Sequence, residues 1–90
     1  MTKVVGDPVE LEHFAQNLQQ FTSDLEGRLT SLQGQFNHLG DTWRDQEHAK
    51  FAQEFQQTTQ MLHHFIETAN AHIPFLRRKA KRLYDFLNQR

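Results

Sequence analysis

The sequence predicts an all-α fold, an antiparallel two-helix hairpin formed by one domain of 90 residues. Apolar residues recur at spacings of three and four in two long runs. A short corner at residues 40–42 separates the runs, and no stretch alternates apolar and polar residues as a β-strand would. Because a lone hairpin leaves one face of each helix uncovered, we expect it to dimerise into a four-helix bundle.

The first helix is predicted to span residues 8–39. Asp7 suits the N-cap position, Pro8 suits the first helical position, and Glu10 follows the cap by three residues. The apolar stripe keeps a heptad pattern with one four-residue stutter between Leu25 and Leu29. Its members are Leu11, Phe14, Leu18, Phe21, Leu25, Leu29, Leu32, Phe36 and Leu39.

The corner follows at residues 40–42. Gly40 suits a left-handed helix end, and Asp41 or Thr42 can cap the next helix. Trp43 is expected to cover the end of the helix pair, or to contact a neighbouring molecule together with Asp45. The candidate corner residues are Gly40, Trp43, Asp45 and Phe51.

The second helix is predicted over residues 42–88, with an irregularity near Pro74. Its main apolar line continues without a break from Ala52 to Leu87, and a second line runs beside it from Phe51 to His72. This stripe is wider than one partner helix requires, so part of it is predicted to bind another molecule. The predicted interface residues are Phe55, Leu62, Phe65, Ile66, Leu76, Leu83 and Leu87.

The predicted register of the two helices follows from placing Leu39 opposite Trp43 across the corner. Pro8 then lies opposite Pro74, so residues 75–90 are expected to extend beyond the first helix. That extension carries several large apolar side chains, which would favour association.

Charge is distributed unevenly along the chain. Residues 1–76 carry four Lys/Arg and ten Asp/Glu, whereas residues 77–90 carry six Lys/Arg and one Asp. Three roles remain open for this basic segment: pairing with acidic residues inside an antiparallel dimer, solvation, or contact with a polyanion. The segment comprises Arg77, Arg78, Lys79, Lys81 and Arg82.

The segment from Trp43 to Phe55 resembles the start of the second helix in the WXG (Trp-Xaa-Gly) family, the ESAT-type substrates of type VII secretion. Trp43 and Phe51 have the spacing of the family's tryptophan and later aromatic residue. Asp45 stands in place of the motif glycine. The family's C-terminal signal is similar to a tyrosine followed, after three residues, by an acid. Tyr84 supplies the tyrosine, but Asn88 occupies the acidic position.

The resemblance implies a protein-interaction module, either a secreted substrate or an escort of an effector, that acts as a helical-bundle dimer. The dimer is a homodimer, or a heterodimer with a related small helical protein, and a secretion ATPase or a toxin is a further expected partner. The resemblance also implies a cytoplasmic protein that is then exported without a cleavable signal peptide. The alternative is a non-secreted helical adaptor that binds nucleic acid or anionic membrane through residues 77–82, although neither is an expected partner.

The sequence argues against an enzyme, a metal site and a cofactor. The chain has no cysteine, so it can form neither a disulfide nor a thiolate metal site. None of its six histidines is paired at the four-residue spacing of a helical metal site. Nor is there a phosphate-binding glycine loop or a pattern typical of a catalytic nucleophile.

Overall fold

Two long antiparallel α-helices make up the computed structural model of the chain, which describes residues 6–89. Helix α1 spans Pro8–Leu39 and helix α2 spans Gln46–Leu87. The hairpin is a rod with dimensions of 69 × 21 × 17 Å. The predicted all-α hairpin is confirmed, and residues 6–89 contain no β-strand.

Helix α1 begins and ends at the predicted residues. Its first turn is capped by the side chain of Asp7, the residue before the helix. Asp7 has an extended backbone, and its carboxylate accepts hydrogen bonds from the amides of Val9 at 2.9 Å and Glu10 at 3.4 Å. Pro8 follows at the first helical position, where a missing amide hydrogen costs nothing. The cap therefore satisfies amides that no preceding turn can reach.

The corner is longer than predicted, and two predictions about it are wrong. Gly40 is right-handed, with φ −62° and ψ −14°, not left-handed. Helix α2 begins at Gln46 and is capped by Asp45, not by Asp41 or Thr42. The amides of residues 40–43 still bond to carbonyls in the last turn of α1; that of Thr42, for example, donates to Leu39 at 3.1 Å. These residues therefore close the first helix and cannot open the second.

The longer corner changes the register of the two helices. A Cβ built on Gly6 would lie 3.0 Å from Cδ1 of Leu83, and Pro8 lines a groove with Ala80 and Tyr84. Pro8 is therefore not opposite Pro74, and the predicted extension of residues 75–90 beyond the first helix is wrong. Helix α1 accompanies α2 almost to its end.

Helix α2 continues through Pro74, with polar contacts to α1 on either side of it. Proline has no amide hydrogen, so the carbonyl of Asn70 loses its helical donor at this turn. The Asn70 side chain accepts a hydrogen bond from the Thr22 hydroxyl at 2.9 Å, and Arg77 donates to Gln19 at 2.9 Å. These two bonds join the helices at the position where α2 has lost a bond of its own.

The core between the helices is thin. Only three of its apolar members, Leu29, Ile66 and Ile73, are large, and the rest are alanines that let the helices approach closely. The buried residues are Ala15, Thr22, Leu29, Thr59, Ile66, Ala69, Ile73 and Ala80. Ile66, a predicted partner-binding residue, is 4% exposed and belongs to this internal core.

Replacing Gly27 and Gly34 by alanine should stabilise the hairpin. Both lie inside α1, and a Cβ at either position meets no atom within 4 Å. We expect each substitution to raise the free energy of unfolding by about 1 kcal/mol in urea titrations followed by circular dichroism. Gly40→Ala is the control, because its Cβ would lie 3.3 Å from the Asn37 carbonyl and should give no such gain. A decrease for Gly27→Ala or Gly34→Ala would contradict the prediction.

Candidate interaction surface

An aromatic cluster fills the corner end of the hairpin. The ring of His48 stacks on Phe36, with centroids 5.1 Å apart and planes 4° from parallel. Trp43 meets the His48 ring edge to face at 5.0 Å, and Phe36 also contacts Phe51 at 5.7 Å and Phe55 at 4.9 Å. We call these five residues the corner cluster. Its packing joins the last turn of α1, the connection and the first turns of α2.

Trp43 covers the corner cluster from the connection between the helices. Its amide donates to the Leu39 carbonyl at 3.0 Å, and its half-buried ring lies 6.3 Å from Phe51. Nε2 of His48 is buried beside Gly40 and has no hydrogen-bond partner in the described part of the chain. Stacking therefore holds the imidazole in place through its faces, since Nε2 makes no polar contact there.

Six exposed apolar side chains of the two helices lie on one side of the hairpin. Phe21 of α1 and Phe65 of α2 meet in a T-shaped contact at 6.2 Å. Side chains spaced by seven or eleven residues share one side of a helix, and this spacing links the exposed members of α1. All six retain between 44% and 56% of their accessible surface. We call this set the apolar face: Phe14, Phe21, Leu32, Leu39, Phe51 and Phe65.

The predicted interface residues of α2 occupy three different environments. Phe65 lies on the apolar face, and Leu87 is exposed at the end of the helix. Ile66 is buried in the core. The remaining predicted residues are half-buried: Phe55, Leu62, Leu76 and Leu83.

Sequence reasoning missed the four members that α1 contributes to the apolar face. Phe14 and Phe21 are seven residues apart, as are Leu32 and Leu39, and this repeat was the available signal. The predicted interface residues all lie on α2, so no member of the α1 stripe was predicted to bind a partner. In the structure that stripe is divided between the core and the apolar face.

The basic segment at residues 77–82 is partly paired within the chain. Nε of Arg77 lies 3.6 Å from the Glu12 carboxylate, and Nζ of Lys81 lies 3.3 Å from Asp85. Arg78, Lys79 and Arg82 have no acidic partner within 4 Å among residues 6–89. Arg77 thus contacts α1 at the open end of the hairpin, Lys81 pairs within α2, and the other three cations have no acidic partner in the described residues.

Neither a metal site nor a membrane span is found in the described residues. Over residues 6–89, no three His, Asp or Glu side chains come together in a group that could hold a metal ion. Neither α1 nor α2 combines the length and apolar character needed to cross a bilayer.

Comparison with known proteins places the chain in a family. The family model described as WXG100, proteins of 100 residues with WXG, matches residues 4–86. The chain belongs to the WXG100 family. No curated protein sequence matches it.

Crystal structures of the secreted protein EsxB from Bacillus anthracis str. Sterne are similar to this WXG100 hairpin. The selenomethionine-labelled protein is 27% identical, with a TM-score of 0.75 over 98% of this chain and 100% of that one. A mutant of EsxB in which one proline is replaced by alanine, also 27% identical, has a TM-score of 0.81 with the same coverage. The wild-type protein in space group P21 has 27% identity and a TM-score of 0.76 over 94% of this chain and 99% of that one.

The structure accounts for the loss of the WXG glycine. Asp45, which replaces it, has φ −85° and ψ −173°, an extended conformation that any residue adopts. Its carboxylate accepts a hydrogen bond from the His48 amide at 3.0 Å. The position therefore does not need glycine's conformational freedom, and aspartate adds an N-cap next to the corner cluster.

Two substitutions of Asp45 should show whether its carboxylate stabilises α2 as an N-cap or whether the glycine of the family motif would serve equally well. We expect Asp45→Ala to lower the free energy of unfolding by about 1 kcal/mol, because the cap bond to His48 is lost. Asp45→Gly, which restores the motif, should cost only a few tenths of a kcal/mol. Chemical denaturation of the two variants beside the parent measures both effects, and equal losses would show that the carboxylate does not act as a cap.

Proposed function

We propose that the chain is a small, non-enzymatic interaction protein of a type VII-type secretion system, exported as a helical-bundle dimer. The observation that carries this proposal is the apolar face, which one hairpin cannot cover by itself. Membership of the WXG100 family and the secreted EsxB relatives support the assignment to a secretion system.

A second hairpin of the same kind is the simplest cover for the apolar face. In a twofold dimer, each copy presents to the other the same surface that it receives. Burying the exposed half of a large apolar side chain is worth roughly 1 kcal/mol, so two faces together gain on the order of 10 kcal/mol. That gain is comparable with the roughly 4–15 kcal/mol that association costs. The half-buried residues beside the face, such as Leu18 and Leu25, must therefore contribute as well.

The same face would also suit a heterodimer with a related small helical protein. Nothing on the apolar face carries a charge that would repel an identical copy, so we propose the homodimer as the resting assembly. A secretion ATPase or a toxin domain would then meet the surfaces that the dimer leaves exposed.

Two charges placed on the apolar face should dissociate the dimer. We expect the wild-type chain, at 10.7 kDa, to scatter light as a particle of twice that mass. The double variant Phe14→Asp with Leu32→Asp should scatter as a monomer, because dimerisation would bury two unpaired carboxylates in each copy.

The matched control is Gln16→Asp with Gln35→Asp, which adds the same charge at exposed polar positions of α1. It should leave the mass doubled, and circular dichroism should report similar helix content for all three proteins. A monomeric wild-type chain would disprove the homodimer. If the control dissociated equally, added net charge, and not the loss of the apolar face, would be the cause of dissociation.

The proposed export signal lies at the end of α2. Tyr84 is 58% exposed, and Asn88, four residues later, caps the helix by donating to the Tyr84 carbonyl at 2.8 Å. The two side chains therefore lie on the same last turn, where another protein can reach them. We propose that this pair presents the chain to the secretion machinery, with Asn88 as a weaker substitute for an acid.

Export provides the direct test of function. A tagged chain, expressed in a bacterium with a type VII system, should accumulate in the medium only when the secretion ATPase is intact. Tyr84→Ala should abolish export while the dimer mass is unchanged, and Asn88→Asp should increase it severalfold by completing the family's signal. Release that is independent of the ATPase would disprove the proposal, and release unaffected by Tyr84→Ala would disprove the signal.

A further inference from the structure

A row of aromatic and basic side chains follows the outer edge of the last three turns of α2. Its members are spaced by three or four residues, so they share one side of the helix. The opposite side of the same turns carries Ile73 and Ala80, which are buried against α1. We call this row the outer stripe: Phe75, Arg78, Lys79, Arg82 and Phe86.

The side chains of the outer stripe are exposed, except that of Lys79, which is half-buried. Phe75 is 48% exposed and Phe86 is 69% exposed. Within residues 6–89, Arg78, Lys79 and Arg82 form no ion pair. The nearby acids are already paired, Glu12 with Arg77 and Asp85 with Lys81. The stripe therefore combines three uncompensated cations with two exposed rings.

We propose that the outer stripe binds the surface of a bilayer rich in anionic lipids. The two arginines and Lys79 would contact the headgroups, while Phe75 and Phe86 would enter the boundary between headgroups and acyl chains. Clusters of basic side chains next to large apolar ones are the features by which helices lie on such surfaces. The contact is peripheral, since neither helix is apolar enough to cross the bilayer.

The geometry of the stripe favours a flat partner with an apolar layer. Phe75 and Phe86 are eleven residues apart, which is about 16 Å and close to three helical turns. Both rings can therefore touch one plane while the cations between them face the same plane. A nucleic acid duplex is convex and offers no apolar layer beneath its phosphates, so the two rings would gain nothing there.

The stripe does not compete with the apolar face. Phe65 marks the apolar face on α2, and Phe21 meets it from α1. The outer stripe lies at the edge of the rod, on the side of α2 that faces away from α1. A dimer formed through the apolar face therefore leaves both copies of the stripe exposed, and membrane binding does not depend on the proposed export.

Vesicle flotation with the full chain tests the inference. At low salt, the wild type should bind vesicles of about 30% phosphatidylglycerol in phosphatidylcholine and not vesicles of phosphatidylcholine alone. Arg78→Gln with Arg82→Gln should weaken binding roughly 30-fold, because each basic residue near an anionic surface raises the affinity roughly fivefold. Phe75→Ser with Phe86→Ser should weaken it roughly tenfold through the loss of apolar insertion.

Two controls are matched to these variants. Arg28→Gln with Arg44→Gln removes the same charge from exposed positions off α2, and Val9→Ser removes an exposed apolar side chain of α1. Both should bind within twofold of the wild type. Equal binding to neutral and anionic vesicles would overturn the proposal. So would control variants that bind anionic vesicles as weakly as the stripe variants do. Preference for a DNA duplex over the anionic vesicles would also overturn it.

Discussion

Two helices can cover each other along only one side, and this limit governs the whole molecule. The side chains between α1 and α2 are mostly alanines and threonines, which permit close approach but remove little apolar surface from water. The larger residues are pushed to the margins of the contact. Phe14 and Phe21 retain more than half of their accessible surface, and Phe65 retains 44%. The hairpin therefore gains its shape from one contact and leaves a second contact to another molecule.

The corner cluster determines how the two helices are aligned. Phe36, His48 and Trp43 pack around the connection, while Asp45 opens α2 at the place where the family motif has glycine. This alignment brings Arg77 beside Gln19 and Glu12 at the other end of the rod. The corner and the open end are thus coupled through the register, although they lie at opposite ends of a rod 69 Å long.

The hairpin presents three distinct surfaces to other molecules. The apolar face is suited to another hairpin, because it is wide and uncharged. The end of α2 adds two further surfaces within one segment: Tyr84 and Asn88 on the last turn, and the outer stripe along the edge. Because these surfaces lie apart on the helices, the proposed dimer would leave the end of α2 accessible to other molecules.

The sequence by itself determined the two helices, the Asp7 cap, the end of α1 at Leu39 and the likeness to the WXG family, since these depend on local spacing and residue type. It did not determine where α2 begins, because that depends on whether Asp41 and Thr42 bond forward or back to α1. The tertiary structure decided this competition in favour of α1 and so shifted the register by several residues. That shift placed Leu83 beside Gly6, while the packing of the two helices put Ile66 in the core and left Phe14 and Phe21 on the apolar face. A helical repeat shows which residues are apolar on one side, but only packing shows which of them the partner helix reaches.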